Sequence, residues 1–451
     1  MNTRTYHITI ISAFAVALFS AAFCEAIVLI AWTFQLMHLI FTYLHFSKSR
    51  YKGSLERLKR ENYLKSGVSI IKPLHGDFPN LECNLESFFQ LQYPTFELIF
   101  CVEDMEDSAL KVIEKLQKKY PKVITIISEG IENIGINPKV CNIATGYKNA
   151  TYDLLWIADA NIVASDIALQ DMVHKCVDGY PLVHQLPWGV SGPDVSPTLG
   201  SISLGSILER WYFATAHGRP YMVINKAVCT CLNGMSNMIS KPHFENIGGL
   251  TKFASHLNED SVMGLAFDTH GYETIISKYP AIQNFDSFDI TQYIDRRVRW
   301  TKLRNKYSHI AKLTPFEPIV DNHLVSLLCM FMLVGLHETG RIYHIWLHSA
   351  LWLVVDAVVF MLIDRSIGLP AKWQRKNKQE YFFDWGRISN KPRGVYFFFI
   401  NLIEHYLMWI CREVISLFIY IKALQNTEHI VWKEKELNIS ESTESNDIKK
   451  E

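Results

Sequence analysis

Residues 152–161 read YDLLWIADAN. The part from Tyr152 to Ile157 is short, apolar and bounded by polar residues, which reads as a strand buried on both faces. Asp159 follows at once. Ligands of an open parallel sheet gather beyond the carboxyl ends of its strands, so Asp159 is placed at a cleft. The same rhythm runs upstream. Val68 to Leu74 reads as a strand and Glu82 to Leu91 as a helix with Leu85, Phe88 and Phe89 on one side. A second strand, Glu97 to Val102, precedes a helix from Ser108 to Lys119; Val123 to Ile127 is a third strand, and Leu182 to Leu186 follows as a fifth. Strand–helix alternation implies an α/β fold with a mostly parallel sheet covered on both faces. Glu103 and Asp104 also follow a strand directly, at the same mouth of the sheet.

Outward from this body, at 66–315, the composition changes. Residues 8–44 are almost entirely apolar, from Ile8 to Leu44. A bilayer core needs about 20 such residues in a helix, whereas the apolar part of a cleaved signal peptide is only about 7–15 long. An uncleaved membrane anchor over 1–47 is therefore expected, with Glu25 a costly carboxyl inside it. Lys48, Arg50, Lys52, Arg57, Lys59, Arg60 and Lys65 follow, against Arg4 alone before it, so the residues after the anchor face the cytosol. Two further apolar runs, Leu324–Leu336 and Tyr343–Ile363, precede a basic segment at 364–394. A third run, Val395–Ala423, carries Glu404, His405, Arg412 and Glu413, and either spans or lies in the interface. Residues 316–430 thus read as membrane-associated helices and 431–451 as a polar, disordered tail. The formal net charge is zero, which argues against nucleic acid as a partner. Nine dispersed cysteines without a C-x-x-C pair point away from a disulfide framework or structural zinc.

Four runs carry candidate chemistry. CVEDMED at 101–107 offers Asp104 to a nucleotide; the bland alternative is a solvated acidic turn. Asp159 has the hard oxygen that suits magnesium or manganese beside phosphates, or is an ordinary strand-end cap. HLNEDSVMG at 256–264 holds Glu259 and Asp260, either helix-start charges or a base for an acceptor hydroxyl. DRRVRWTKLR at 295–304 contains Arg296, Arg299 and Trp300 as R-x-x-R-W. Guanidinium forks suit phosphate oxygens and an indole lines a sugar or lipid cleft, while a basic helix on anionic headgroups is the plainer reading. Their joint occurrence in this order, between apolar segments, outweighs each alone.

With these runs in place, the chain resembles the ceramide glucosyltransferase (glucosylceramide synthase) family over nearly its whole length. The matching segments include GVSIIKPLHGDFPNLECNLESFFQLQYP at 67–94, GINPKVCNIATGY at 135–147, YDLLWIADANI at 152–162, NGMSNMISK at 233–241, GGLTKFASHLNED at 248–260 and RRVRWTKLR at 296–304. The resemblance implies a GT-A nucleotide-sugar-binding domain at 48–315. It also implies UDP-glucose as donor, ceramide as acceptor, inversion at the anomeric carbon, and a multi-pass Golgi membrane location with the site facing the cytosol. The family's three separated aspartates fall on Asp104, Asp159 and Asp260, its R-x-x-R-W on Arg296, Arg299 and Trp300, and its histidine on His217 in WYFATAHGRPY. Lys72 and Pro73 fall on the donor-binding first strand and Lys139 near the diphosphate. The expected roles are uridine binding for Asp104, metal for Asp159, and proton removal for Asp260. Two departures stand out: the common D-x-D metal element reads Asp159-Ala160-Asn161 here, and lysines and glutamates replace an arginine-rich C-terminal end.

Two other functions share some of these features. Processive polysaccharide synthases resemble this chain in the aspartates and the arginine–tryptophan run, but need a polymer channel that three or four apolar runs hardly build. A non-catalytic lipid-binding scaffold would not need the acidic set.

Overall fold

The computed structural model describes residues 21–46, 66–191 apart from 79 and 131, 204–307 apart from 286–288, 323–336, 343–364, 395–425, 429–432 and 435–439. The basic stretches at 48–65 and 365–394, on which the expected topology leans, lie outside the described residues.

In chain order the elements begin with α1 (Ala21–Phe46), β1 (Val68–Pro73), α2 (Leu81–Phe89), β2 (Phe96–Val102), α3 (Ala109–Lys119), β3 (Thr125–Glu129), α4 (Pro138–Asn149) and β4 (Leu154–Ala158). Then come β5 (Ile162–Val163), α5 (Asp166–Val177), β6 (Leu182–His184), β7 (Pro187–Ser191), α6 (Leu204–Trp211), a π-helical turn (Tyr212–His217) and α7 (Gly218–Ala227). β8 (Ser236–Ser240), α8 (Lys241–Asn246), α9 (Gly249–Phe253), α10 (Glu259–Thr269), β9 (Thr274–Ile276), β10 (Ala281–Phe285) and α11 (Ile290–Tyr307) complete the α/β body. The remainder is α12 (His323–Leu336), α13 (Tyr343–Asp364), α14 (Val395–Gln425), β11 (His429–Trp432) and β12 (Lys435–Asn438).

The seven-stranded sheet has the order β3-β2-β1-β4-β8-β6-β9. Only β8 runs against its neighbours β4 and β6, so the α/β, mostly parallel expectation holds. Period-two alternation explains the apolar strands. Ile70, Leu98, Phe100 and Trp156 face one core with α2 and α3. Ile71, Ile99, Cys101, Leu155 and Ile157 face the other, under α4 and α10. Full burial of each such side chain contributes about 1.5–3 kcal/mol, and both faces must be apolar because both are covered. A smaller sheet, β5-β10-β7, flanks the carboxyl end of β4.

α1 is the one helix, among the described residues, long and apolar enough to cross a membrane, over Ala22–Phe46. The apolar stretches inside α12 and α13 are shorter. In α14 the buried Arg412 and Glu413 pair with each other. The segment expected to start a disordered tail forms instead a hairpin of β11 and β12. Ile430 and Ile439 bury against Leu257 and Leu303 of the α/β body, which gives it an apolar anchor.

Candidate active site

Local sequence rules bring two helix starts to the end of β4. Asn137-Pro138-Lys139 opens α4: Asn137 is the N-cap, its side-chain oxygen accepts from Lys139 N at 3.0 Å and Val140 N at 3.2 Å, and Pro138 takes the first helical turn. The other end of the same amide donates to the His256 carbonyl at 2.8 Å and to Glu259 Oε2 at 2.9 Å. One asparagine thus locks α4 against the first turn of α10, where Glu259 and Asp260 stand. Asp159 closes the triangle. Its amide donates to the Met235 carbonyl at 2.9 Å, which fixes it beside the loop 233–235.

Lys139 is the centre. Its ammonium lies 2.8 Å from Asp159 Oδ1 and 3.8 Å from Glu259 Oε1, and donates to the Gly234 carbonyl. A Cβ on residue 234 would come within 3.0 Å of Lys139 Nζ, 3.2 Å of Glu259 Oε1 and 3.5 Å of Asp260 Oδ2. A larger residue there would press on all three charged groups, which close in on the glycine backbone. Three carboxylates share one ammonium. Burial pushes the Glu259 carboxyl up to about 7, against the pull of Lys139 and with added repulsion from Asp260. Burial likewise raises Asp260, partly offset by the Ser261 N–H, which donates at 2.7 Å, and by Lys139. Burial also works against charge on Lys139, but Asp159 and Glu259 outweigh it and hold the amine above the usual lysine range.

A positive wall faces this acidic set. Arg296 and Arg297 reach the same buried oxygen, Glu209 Oε1, at 2.9 and 2.7 Å. The Arg297 guanidinium carbon lies over Trp300, 3.8 Å from the ring centre, and that of Arg296 is 4.9 Å from it. Arg299 is lowered to about 10 by burial and by repulsion from Arg296 and Arg297. Arg296 feels the attraction of Asp159 across the gap. An aromatic cluster supports the wall: the His217 ring is 6.5 Å from Trp300, 5.3 Å from Phe213 and stacked 5.6 Å from Tyr221. Burial, with Arg297 and Arg304 nearby, depresses His217 to about 3, so it is neutral. Its Nδ1 is buried with no hydrogen-bond partner among the described residues.

Asp159, Asp260 and Lys139 are therefore together, with Arg296 across from them. Asp104 is exposed at the end of β2, where its side chain accepts from Glu106 N at 2.8 Å. Pro73 ends β1 opposite Cys101 of β2. Lys72, expected on the donor-binding first strand, lies beneath Asp159. It is fully buried, its ammonium 3.9 Å from the Phe88 ring centre and donating to the Asp159 carbonyl at 2.7 Å. It supports Asp159 from beneath, and burial lowers it to about 7.

Four residues escaped the sequence reading. Asn137 was signalled by its Asn-Pro helix start. Arg297 sits inside the quoted run, yet the R-x-x-R-W spacing drew attention past it. Glu209 carries no local mark in LGSILERW. Asp107, rather than Asp104, ties the loops together, accepting from Gly76 N at 3.0 Å and Ala109 N at 2.9 Å.

Among the described residues no three His, Cys, Asp or Glu side chains are grouped to hold a metal ion. A magnesium-type ion at a diphosphate needs only one or two carboxylates, the rest being phosphate oxygens and water. Asp159, with the buried, unpartnered side-chain oxygen of Asn161 two residues on, fits that minimal form.

The chain is similar to known proteins along most of its length. The model of glycosyl transferase family 21 matches residues 29–445. The chain is 30% identical over 397 residues to ceramide glucosyltransferase 3 of Caenorhabditis elegans, covering 86% of this chain and 77% of that protein. It is 32% identical over 381 residues to ceramide glucosyltransferase 1 of the same organism, covering 83% and 72%. Among solved structures, a mannosyltransferase from Pyrobaculum calidifontis in complex with GDP-Man and Mn2+ superposes at a TM-score of 0.41 and 17% identity, over 74% of this chain and 98% of that one. Matched from residue 29 to residue 445, this chain belongs to glycosyl transferase family 21.

Proposed function

We propose that the chain transfers glucose from UDP-glucose to the primary hydroxyl of ceramide, giving β-glucosylceramide and UDP with inversion at the anomeric carbon. The observation that carries this reading is the meeting of Lys139, Asp159, Glu259 and Asp260 at the end of β4. A cation for a diphosphate and a carboxylate for a hydroxyl stand side by side there.

Asp104, exposed at the end of β2, accepts hydrogen bonds from the uridine. Pro73 and the end of β1 form the floor under it. Lys139, Arg296 and Arg299 take the charge of the diphosphate, which grows as the bond to the sugar breaks. Asp159, with Asn161, would hold Mg2+ or Mn2+; such an ion supplies further neutralisation of the leaving group when bound. Asp260 accepts the proton of the acceptor hydroxyl as its oxygen forms the new bond to the anomeric carbon. The bond from that carbon to the diphosphate breaks in the same displacement, and its electron pair leaves with UDP. Trp300 and neutral His217 wall the sugar on the far side.

The acceptor carries two apolar chains and approaches from the bilayer. α1 serves as the anchor and 316–430 as membrane-associated helices beside the domain at 48–315. The family resemblance and the positive stretch at 48–65 support a multi-pass Golgi protein with the site in the cytosol.

The experiment is direct. The purified chain is incubated with labelled UDP-glucose and ceramide, and the lipid extract is separated on a thin-layer plate. Label in a monohexosyl lipid cleaved by β-glucosidase is the expected result. Label left in the water phase, or in a polymer at the origin, contradicts the proposal.

A further inference from the structure

The apolar helix α13 carries a carboxyl in its interior, Asp356, and it is buried. Two other elements reach it. Gln35 of α1 donates to Asp356 Oδ1 at 2.7 Å, and Arg219 of α7 places NH2 at 3.2 Å from the same oxygen. All three side chains are at most 3% exposed. The Arg219 guanidinium also lies 5.1 Å from the Trp352 ring centre on α13, whose ring meets Trp32 of α1 edge-on at 5.6 Å. A second polar tie runs beside it: Trp32 Nε1 donates to His348 at 2.8 Å, and His348 meets Ser326 of α12 at 3.1 Å.

A buried ion pair is a poor way to gain stability, since apolar side chains of similar volume usually do as well or better. Its attested use is to fix one arrangement of elements over others. Ionisable groups in such apolar helices mark function more often than packing. The place of Arg219 says what is being fixed. It stands two residues after His217, at the start of the helix that continues the π-helical turn. That turn carries Tyr212, Phe213 and His217, the rings packed against Trp300. Interrupted helical turns of this kind cluster at functional sites. One short segment therefore touches the active-site wall with its first half and the apolar helices with its second.

We infer that Asp356, through Arg219 and Gln35, is a positioning residue that sets the π-helical turn against α1 and α13, and so aligns the acceptor lipid's route with the site. This rests on the lipid-transfer reading above. The nucleotide-binding side, at the ends of β1, β2 and β4, lies on other elements and is not held by the clasp.

The test uses the full-length chain in detergent-free lipid nanodiscs, with a short-chain ceramide and UDP-glucose as probes. The steady-state constants for each substrate are measured for wild type, Asp356→Asn and the double variant Gln35→Glu/Asp356→Asn. The double variant moves the carboxylate across the 2.7 Å contact to the neighbouring helix. Asp356→Asn is expected to raise KM for ceramide about tenfold or more while KM for UDP-glucose changes less than about twofold. The double variant should recover most of the acceptor KM, which a merely structural loss would not show. Equal losses on both substrates, no change on either, or a folded double variant without recovery would overturn the inference. If Asp356→Asn does not accumulate as folded protein, the double variant alone decides, by its acceptor KM. A wild-type chain that makes no glucosylceramide defeats the proposed reaction instead, so the two failures are distinct.

Discussion

Lys139 Nζ lies 2.8 Å from Asp159 Oδ1, so a single ion pair joins the start of α4 to the end of β4. The same ammonium faces Glu259 at 3.8 Å. Without it three buried or half-buried carboxylates would repel one another, and the site would carry no cation at its floor for a diphosphate.

Replacing Lys139 by methionine keeps the volume and removes the charge. Transfer from UDP-glucose should fall by about 100-fold or more, the scale seen when one preorganised charge-stabilising group is lost. UDP binding by calorimetry should weaken in parallel. Unchanged kcat/KM for UDP-glucose would place the diphosphate elsewhere.

The raised carboxyls set the acid limb of the rate. Burial pushes Glu259 up to about 7 and also holds Asp260 above the usual carboxylate range, so Asp260, once protonated at falling pH, can no longer act as the base. Glu259→Gln removes the like charge beside Asp260. The acid limb of kcat should then move to lower pH, and a limb that stays in place would show that another group sets it.

The same pair has the opposite effect on stability. A carboxyl raised in the folded protein favours folding at low pH, and that contribution is lost as pH rises through its folded value. Asp260→Asn should therefore melt higher than wild type at pH 8, by about 2–4 °C for each kcal/mol relieved. The gap should close by about pH 3, below the value of an unfolded aspartate, roughly 4. Thermal unfolding at the two pH values checks the sign.

Glu209 is the acid to which Arg296 and Arg297 both bond. Glu209→Gln leaves buried guanidinium charge uncompensated, a loss of about 3–5 kcal/mol for a broken buried pair. The melting temperature should drop steeply, and Trp300 fluorescence should report a loosened wall. A variant as stable as wild type would mean that the arginines are held by other contacts.

Much of this was legible in the sequence because one physical rule dominated each part. Strands β1, β2 and β4 are mainly apolar and buried and were found from their apolar runs. Asp104 and Asp159 were placed at the mouth by the strand end beside each, whereas Asp260 was assigned by the family resemblance. β8 was not legible. It reads Ser-Asn-Met-Ile-Ser, and its buried polar residues are satisfied only in the folded chain: Trp156 Nε1 donates to Ser236 at 2.8 Å, and Asn237 donates to the Asn233 carbonyl at 2.8 Å. The contact of Lys72 was not legible either, since its side chain folds under Asp159, 87 residues along the chain, to hold its carbonyl. Glu209 and Asp356 gave no local sign, since what identifies each is a partner far along the chain. The register of Arg297 over Trp300 depends on helical spacing in α11, where i and i+3 share a face.

The most direct test of the whole account is ceramide glucosylation by the full-length Asp260→Asn protein beside wild type, with bound UDP-glucose measured on the same samples. Asparagine keeps the shape and cannot take the proton. Donor binding within about twofold of wild type, with transfer reduced by about 1,000-fold or more, is the expected result. Transfer at a near-normal rate would contradict the assignment of Asp260 as the base, and with it the reading of this acid–lysine cluster as the centre of catalysis.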